Sequence, residues 1–531
     1  MKKFLLSILT MCLAAVASVQ AQTVEDATYG TLDFSVDGFA AYEGNTGAWY
    51  HAGGTTGGAG GDVVTAEDFS QLQAYLQSSK PYIILVTKDI TTSKVCYIDK
   101  SAAKNNICEK QDGTEGTATT FGERIMVASN KTLIGVADAQ GNVPLISRIT
   151  LVMQCVHNII IRNLRFTMLE VPVIYSKENK IVAWREGEQK MLNSDPDCIG
   201  IQADAVSAKK DSGGHIWIDH CEFFNGDTNS KDRYDGLIDC KNNVQWMTFS
   251  YNLFHDHCKS CLWGKGNSDI FDNCRTISAH HNWFKHVQSP DGNQGSRLPL
   301  QRGGSVHYMN NYQNECLDGW DLRAQAVSYV DACYFKDCKA PILPDGKEDA
   351  KLTVNKEEGY GIIYDNCRRI ITSPTDGITY LNTPSKLDAE FNLADYDAIG
   401  TWKPTDTWSG YSVNNRVKAE QVPDFCKKYS GAGKIEIWKE YASEVPAYSQ
   451  TNLQAALDTP WVLTKASGTE TFYTYDAQGN KMTKAPAPTA VENINGNVNG
   501  NANKVQKAIV DGKLVITKDG KQFNAAGAQV Q

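Results

Sequence analysis

Short segments that alternate apolar and polar residues recur through the middle of the chain. Each combines several β-branched or aromatic residues with a polar residue and a closing aromatic one. The later copies recur at intervals of roughly 20–30 residues. The segments occupy residues 158–166, 215–223, 246–254, 276–284, 306–312 and 327–335. Short strands at this period, with no long amphipathic helix between them, predict an all-β solenoid, and we expect a right-handed parallel β-helix.

A β-sandwich is the alternative for an all-β chain. Its strands would come about every 8–12 residues and would be joined by hairpin turns, so the longer period favours the β-helix. Polar residues recur in the repeats at Asn163, His220, Asn252, Asn282 and Asn311. We expect such asparagine and histidine side chains to form ladders between neighbouring coils.

The start of the solenoid has a glycine-rich segment, residues 53–61, followed by Val63 and Val64. A phosphate-binding loop would need a lysine and a helix of another type after it. Residues 66–77 instead predict a short amphipathic helix. We expect this helix to cap the N-terminal end, because an open stack exposes its core.

Residues 1–21 are predicted to form a signal peptide. Lys2 and Lys3 are followed by a largely apolar run, which is short for a membrane-spanning helix, and a cleavage site fits at residues 19–21. No other segment is apolar enough to span a bilayer. We therefore expect a secreted protein, located outside the cell, at the cell surface or in the periplasm.

The domain boundaries follow from where the repeat stops. We expect the β-helix domain to cover residues 22–440, with an extension and linker at 441–490 and a small C-terminal segment at 491–531. The region near 485–503 is rich in Pro, Asn and Gly, as linkers are. The last residues predict a strand pair, 508–516 and 520–527.

Charge and cysteine content narrow the class further. A net charge of −9 argues against a nucleic-acid partner. In an exported chain we expect some of the cysteines beyond Cys12 to form disulfides, in a pairing that the sequence does not determine. Cys258 and Cys261 lie near His255 and His257, but no second pair at zinc-finger spacing accompanies them.

Two acidic pairs suggest a site for a hard cation. Asp195 and Asp197 are two residues apart, and Asp235 and Asp239 are four apart, so an extended strand would place each pair on one face. Carboxylates gathered in one groove repel each other unless a cation lies among them, and oxygen ligands suit Ca²⁺. The alternative for either pair alone is a solvated loop.

Cationic residues suggest an anionic substrate. The segment 297–304 places Arg297 and Arg302 around Pro299 and is followed by two glycines. Five residues apart, the arginines would point to opposite faces of an unbroken strand, and the proline makes such a strand unfavourable. The spacing therefore leaves open whether both arginines, and Lys259, share one groove.

Residues 38–434 resemble the pectate lyases of polysaccharide lyase family 1. The resemblance rests on four segments in order: the glycine-rich segment 53–61, the Ile-Trp-Ile-Asp-His segment 216–220, the acidic segment 235–239 and the arginine segment 297–304. The family fold is a parallel β-helix, as the repeats predict. The stretches 168–193 and 341–393 are longer than in the family, and segment 510–521 resembles C-terminal sorting segments of exported Bacteroidetes proteins.

The resemblance implies a function and a set of site residues. It implies a calcium-dependent lyase that cleaves polygalacturonate (pectate) chains by β-elimination, and we expect the protein to be a monomer. Arg297 would be the proton-abstracting base, with Lys259 as a second catalytic residue, whereas Asp219 would be structural. The implied calcium ligands are Asp195, Asp197, Asp235 and Asp239. The implied substrate contacts are Lys259, Arg302 and Arg323.

Three other functions remain as alternatives. A lyase acting on methylated pectin would lack the acidic calcium cluster. A non-catalytic carbohydrate-binding β-helix would not need Arg297. A β-helical galacturonase would hydrolyse the chain with paired acid and base carboxylates.

Because arginine normally stays protonated, an arginine base also implies that the enzyme has an alkaline pH optimum.

Overall fold

The structure is a computed structural model. It describes residues 22–42, 54–91, 95–99, 108–109, 115–120, 123–169, 197–203, 213–226, 234–266, 275–288, 295–323, 326–338, 340–344, 361–365, 367–370, 388–391, 404–441, 447–459, 472–475, 481–485, 505–510, 513–518, 521–524 and 529–530.

The described residues form a parallel β-helix of three sheets, here called A, B and C. Sheet A consists of Asp62–Ala66, Tyr82–Val86, Lys131–Gly135, His157–Arg162, Gly214–Asp219, Gln245–Ser250, Thr276–His280, Ser305–Met309, Val327–Asp331 and Gly361–Asp365. Sheet B consists of Ile90–Thr91, Leu145–Ser147, Arg165–Thr167, Glu222–Phe224, Leu253–His255, Trp283–Lys285, Tyr312–Asn314, Tyr334–Lys336, Cys367–Ile370 and the antiparallel strand Asp388–Phe391. Sheet C consists of Glu123–Met126, Ile149–Gln154, Ile199–Gln202, Ile238–Lys241, Cys261–Trp263, Leu300–Arg302, Asp318–Arg323 and Ala340–Pro344. The predicted parallel β-helix is confirmed.

Each coil places equivalent residues in register with the next coil. In sheet A, Ile218 pairs with Phe249, and Phe249 pairs with Ala279. In sheet B the rings of Phe166, Phe223, Phe254 and Phe284 stack, with successive centroids 5.1, 5.2 and 4.8 Å apart. These inward-facing side chains are buried and belong to one hydrophobic core that runs along the stack.

The turn between sheets A and B carries two side-chain columns. Asn252, Asn282 and Asn311 form the predicted ladder, in which each Nδ2 donates to the next Oδ1 at 3.0 and 2.9 Å. His220 lies one residue earlier in its coil, where its ring stacks on Tyr251. Asn163 also occupies this earlier position, with φ 55°, so the asparagines and histidines of the repeats are divided between two neighbouring columns.

The N-terminal segments pack against the first coils of the stack. The glycine-rich loop packs so closely that a Cβ on Gly58 would lie 1.9 Å from the carbonyl oxygen of Tyr82, which explains the glycine there. A short helix, Phe69–Gln77, follows the first strand of sheet A, and its Leu72 and Leu76 are buried in the core. The helix starts at Phe69 rather than at the predicted Ala66, because Ala66 ends the strand and Asp68 caps the helix by accepting from Gln71 N.

Five α-helices lie in the described residues. They are α1 Gly38–Ala41, α2 Phe69–Gln77, α3 Pro404–Thr407, α4 Val422–Tyr429 and α5 Gln450–Leu457, with 3₁₀ turns at Ala419–Gln421 and Ile437–Tyr441. Helix α4 buries Val422, Phe425, Cys426 and Tyr429, which fall on one helical face. This face and the antiparallel strands Thr23–Asp26 and Gly30–Asp33 build a second apolar cluster outside the coils.

Two antiparallel sheets lie outside the three-sheet stack. One joins Val95–Asp99, Cys108–Glu109, Glu115–Thr120, Phe472–Tyr475 and Lys481–Ala485. The other joins Val505–Val510, Lys513–Lys518, Lys521–Asn524 and Gln529–Val530. The two-strand prediction for the C-terminus was therefore wrong, since Val510 pairs with Lys513 across an Asp-Gly sequence that favours a tight hairpin.

Among the ten cysteines whose side chains are described, no disulfide joins one to another, and nine of the ten are buried. The expected disulfides are thus not present between these residues, and several of the thiols instead donate to backbone carbonyls, as Cys221 does to Asp219 O. The remaining cysteines lie where side chains are not described. In the described residues, no helix has the length and hydropathy needed to cross a membrane.

Candidate active site

The predicted site residues come together where the chain enters sheet C. Asp197, Asp235, Lys259 and Arg297 precede the strands Ile199–Gln202, Ile238–Lys241, Cys261–Trp263 and Leu300–Arg302. These strands are successive neighbours in the sheet, about 4.8 Å apart. The parallel register therefore stacks side chains that are up to 100 positions apart in the sequence.

Three carboxylates form the centre of the site. Asp197, Asp235 and Asp239 each place an oxygen so that all three lie within 4.8 Å of one another. Asp197 accepts a hydrogen bond from Gly236 N at 2.9 Å, and Asp239 accepts one from Leu262 N at 3.1 Å. A Cβ on Gly236 would lie 2.0 Å from Asp239 Oδ1, so this position requires glycine. Asp195 lies outside the described residues.

Cationic side chains interleave with these carboxylates. Asp235 Oδ1 accepts from Lys259 Nζ at 3.0 Å and from Arg297 Nη1 at 2.9 Å. Arg297 Nη1 also lies 3.7 Å from Asp239 Oδ2. Arg297 has φ 66°, a left-handed conformation that costs a non-glycine residue about 1–2 kcal/mol.

Lys241 is a site residue that the sequence reasoning missed. Its Nζ lies 3.3 Å from Asp197 and 3.5 Å from Asp239. It follows Asp239 by two residues in one strand, and strand alternation places such residues on the same face. The same rule that paired the aspartates would therefore have identified it.

Burial and charge move the pKa values of these carboxylates apart. Burial, with help from Asp239, raises the pKa of Asp197 to about 8, and burial also raises the pKa of Asp239. Burial works against ionisation of Asp235 too, but Lys259 and Arg297 outweigh it and lower its pKa to about 2. Burial alone would lower the pKa of Arg297, yet the three carboxylates raise it. The surroundings thus disfavour the ionised forms of Asp197 and Asp239 but favour that of Asp235.

Arg302 and Arg323 lie further along the outer face of sheet C. They are register partners in neighbouring strands, and Arg302 Nη1 donates to Gly264 O at 2.9 Å. Arg323 binds Asp321 through Nε and Nη2, the shortest contact being 2.7 Å. Extending the register by one residue aligns Lys241 with Gly264 and Gly264 with Arg302, and Arg302 pairs with Arg323. The two arginines therefore lie on the same face of the sheet as Lys241.

The side chains of Asp219, His255 and Cys261 lie away from this cluster. Asp219 is fully buried and binds Arg162 at 2.7 Å and His220 at 2.6 Å, as expected of a structural residue. His255 faces Glu222 and Asp256 on sheet B, whereas Cys261 belongs to the core. Within the described residues, the three aspartates are the only group of three or more such side chains arranged to hold a metal ion.

Comparison with known proteins identifies the family of the chain. The family model described as "Pectate lyase" matches residues 20–435. The chain belongs to the pectate lyase family. A pectate trisaccharide-lyase of Bacillus licheniformis is 31% identical over 351 residues, which cover 64% of this chain and 79% of the relative. The lyase is therefore an enzyme that cleaves polysaccharide chains.

A fungal relative and a solved structure extend the comparison. Pectate lyase plyB of Emericella nidulans is 27% identical over 290 residues, covering 54% of this lyase and 67% of the relative. The solved structure of the thermostable pectate lyase PL 47 superposes with a TM-score of 0.50 at 22% identity, covering 77% of this lyase and all of that chain. This likeness agrees with the parallel β-helix.

The three aspartates of this lyase fit a bound cation. Asp239 Oδ2 is buried and has no hydrogen-bond partner among the described residues. The raised pKa values of Asp197 and Asp239 are relieved when a cation lies beside them, since a cation favours the ionised form. An all-oxygen donor set suits a hard ion such as Ca²⁺ rather than a soft transition metal.

A histidine on sheet B predicts how stability depends on pH. His255 contacts Asp256 at 2.7 Å and Glu222 at 3.0 Å, with Arg165 and His286 next in the same cluster. Although burial opposes its protonation, these carboxylates raise the pKa of His255 to about 9. The ion pairs therefore stabilise the fold fully below about pH 6.5, the usual value for histidine, and are lost as the pH rises through 9.

We expect His255→Gln to remove roughly 1–3 kcal/mol of this pH-dependent stability. Chemical denaturation of the native lyase and the variant at pH 6, 8 and 10 measures it. The two stability curves should converge towards pH 10. Curves that stay parallel over the whole range would show that His255 does not titrate as described.

Proposed function

We propose that this protein is a calcium-dependent pectate lyase that cleaves (1→4)-α-D-galacturonan by β-elimination and releases 4,5-unsaturated oligogalacturonates. The observation that carries this proposal is the alternation of Asp197, Asp235 and Asp239 with Lys241, Lys259 and Arg297 in one cluster. Three cations balance three carboxylates, so a divalent ion would leave the site positive. A positive site favours the free carboxylates of pectate over a neutral sugar chain.

Asp197, Asp235 and Asp239 would hold the calcium ion, and Asp195 is a further proposed ligand. When bound, the ion would withdraw charge from the substrate carboxylate and make the adjacent C5 proton more acidic. The carboxylates keep their positions because Gly236 N and Leu262 N donate to Asp197 and Asp239. Such preorganised ligands do not need to rearrange when the ion binds.

Arg297 is the proposed base for the C5 proton. Its guanidinium is held against the carboxylates by the contact with Asp235. The Arg297 side chain is 19% exposed, so a substrate can still reach it. The elimination moves the C5 electron pair into a C4–C5 double bond and expels the glycosidic oxygen at C4. Because the carboxylates raise the pKa of Arg297, its neutral form should be favoured only when they are neutralised and the pH is alkaline.

Lysine and arginine side chains would hold the substrate. Lys259 donates to Asp235 and can transfer that contact to a substrate carboxylate, where it would also stabilise the negative charge that develops in the transition state. Arg302 and Arg323 lie along the same face of sheet C, at successive coils. We propose that they bind neighbouring galacturonate carboxylates, so that the chain runs across the coils.

The proposed function extends to where the protein acts. The predicted signal peptide supports export to the extracellular space, the cell surface or the periplasm, where pectate is accessible. A monomer is proposed, since a single chain supplies every proposed site residue. The domain division at residues 440 and 490 also stays a prediction.

Methyl-esterification of the substrate separates this proposal from a pectin lyase. An ester removes the charge that Lys259 and the arginines would bind, so we expect kcat/KM to fall progressively as the degree of esterification rises. Initial rates on galacturonans of graded esterification measure this, with ultraviolet absorbance reporting the unsaturated products. A preference for fully esterified pectin would contradict the proposal. Products without a double bond would instead indicate hydrolysis.

A further inference from the structure

His257 lies beside the site and is not part of the machinery described so far. It stands in the turn between the sheet B strand Leu253–His255 and the sheet C strand Cys261–Trp263, two residues before Lys259. Its side chain is buried, and its Nε2 lies 2.5 Å from the backbone carbonyl oxygen of Asp235. A carbonyl oxygen only accepts, so Nε2 carries the hydrogen and donates it.

This contact holds the backbone of Asp235, and the ion pair with Lys259 holds its carboxylate. The imidazole of His257 fixes the backbone of Asp235, while Lys259 Nζ, 3.0 Å from Oδ1, meets its carboxylate. Both groups come from one short turn, which Ser296 N anchors by donating to Cys258 O at 2.7 Å. The closed arrangement ties the coil that carries Asp235 to the coils that carry Lys259 and Arg297.

We propose that His257 is a positioning residue, which sets the distance between Asp235 and the cationic pair Lys259 and Arg297. The inference rests on the proposed roles of these three residues in catalysis. His257 does not act as an acid or a base, because its only hydrogen-bond contact among the described residues is to a backbone carbonyl and its Nδ1 is buried without a partner there. The reaction should therefore depend on the donor at Nε2 and not on protonation of the ring.

Three substitutions test this donor. His257→Phe keeps the ring and removes the hydrogen bond, so kcat should fall about 10–100-fold, as it does when a supporting partner of a site ligand is lost. His257→Gln places an amide nitrogen near Nε2 and should keep kcat within about threefold of the native value. His257→Asn is one methylene too short to reach Asp235 and should lose activity like the Phe variant. The pH profile of the Gln variant should keep its native shape.

His281→Phe is the matched control. His281 is also buried, and its Nε2 contacts a backbone carbonyl oxygen, that of Asn415, at 3.1 Å, in the turn between sheets A and B. Both Phe variants should lower the free energy of unfolding, but only His257→Phe should lower kcat at a temperature where both are folded. If His257→Phe does not fold, the difference in kcat between His257→Gln and His257→Asn tests the same donor.

The outcomes separate this inference from the proposed function. Equal kcat losses in the two Phe variants, or equal activities of the Gln and Asn variants, would overturn the positioning role. Asp235→Asn tests the function itself and should be nearly inactive. Full activity of Asp235→Asn would contradict the proposed function. An inactive Asp235→Asn with a fully active His257→Phe would contradict the role of His257 alone.

Discussion

Replacing Arg297 by lysine should nearly abolish turnover while the β-helix remains folded. Lysine keeps the positive charge that Asp235 and Asp239 balance, so the cluster should not collapse. It loses the planar guanidinium and its reach into the groove. Because a positioned base contributes roughly 10²–10⁴ in rate, the loss should appear in kcat rather than in KM. Steady-state kinetics on polygalacturonate, with circular dichroism to verify folding, measures it.

Arg302→Lys is the matched control for that substitution. Arg302 donates to Gly264 O and is a proposed substrate contact rather than the proposed base, so a lysine there should weaken substrate binding more than it slows turnover. We expect a raised KM with a smaller change in kcat. Near-normal kcat in Arg297→Lys would mean that another group removes the C5 proton, and Lys259 would become the leading candidate.

Replacing Asp239 by asparagine should remove most of the affinity for calcium. The asparagine oxygen can still accept from Leu262 N, so the local backbone should hold its place. Loss of a side chain that only supports a metal ligand lowers metal affinity roughly 10–100-fold. Because Asp239 is itself a proposed ligand, we expect the affinity for calcium to fall by at least this factor. Isothermal titration calorimetry with CaCl₂ measures the affinity without relying on activity.

Asp256→Asn serves as the control for the calcium measurement. Asp256 is an acidic residue that binds His255 and His286 and lies outside the aspartate cluster. Its substitution should change stability but leave calcium affinity within about twofold, because its carboxylate is not a proposed ligand. An unchanged affinity in Asp239→Asn would place the ion elsewhere, and an equal loss in both variants would indicate a general effect of negative charge.

The repeat period predicted the fold well because each coil is a local unit. Stacked coils bury alternate residues, so the pattern of β-branched and aromatic positions along the sequence predicts the stacked-coil architecture. What the pattern could not fix is the register of single residues. Asn163 and His220 look equivalent to Asn252 in the sequence, yet they occupy the preceding left-handed position, because Arg162 and Asp219 align with Ser250 rather than with Tyr251.

The sequence predicted that the aspartates lie together, but partly for a reason that differs from the geometry in the structure. Asp235 and Asp239 were expected to share a face of one strand, but the strand begins at Ile238, and Asp235 reaches the cluster from the turn before it. The meeting of Lys259, Arg297 and Asp235 depends on coil register, which spacing along the chain does not encode. Lys241 was predictable from strand alternation, whereas His257 was not, since its role depends on a contact across coils.

The most direct test of calcium-dependent β-elimination is the ultraviolet absorbance that polygalacturonate gains when the enzyme acts on it, recorded in excess chelator and again after calcium is restored. Calcium-dependent elimination predicts no increase in absorbance with the chelator present and a full return of the rate once free calcium exceeds it. A rate that is the same in chelator and in calcium would contradict the proposed role of Asp197, Asp235 and Asp239.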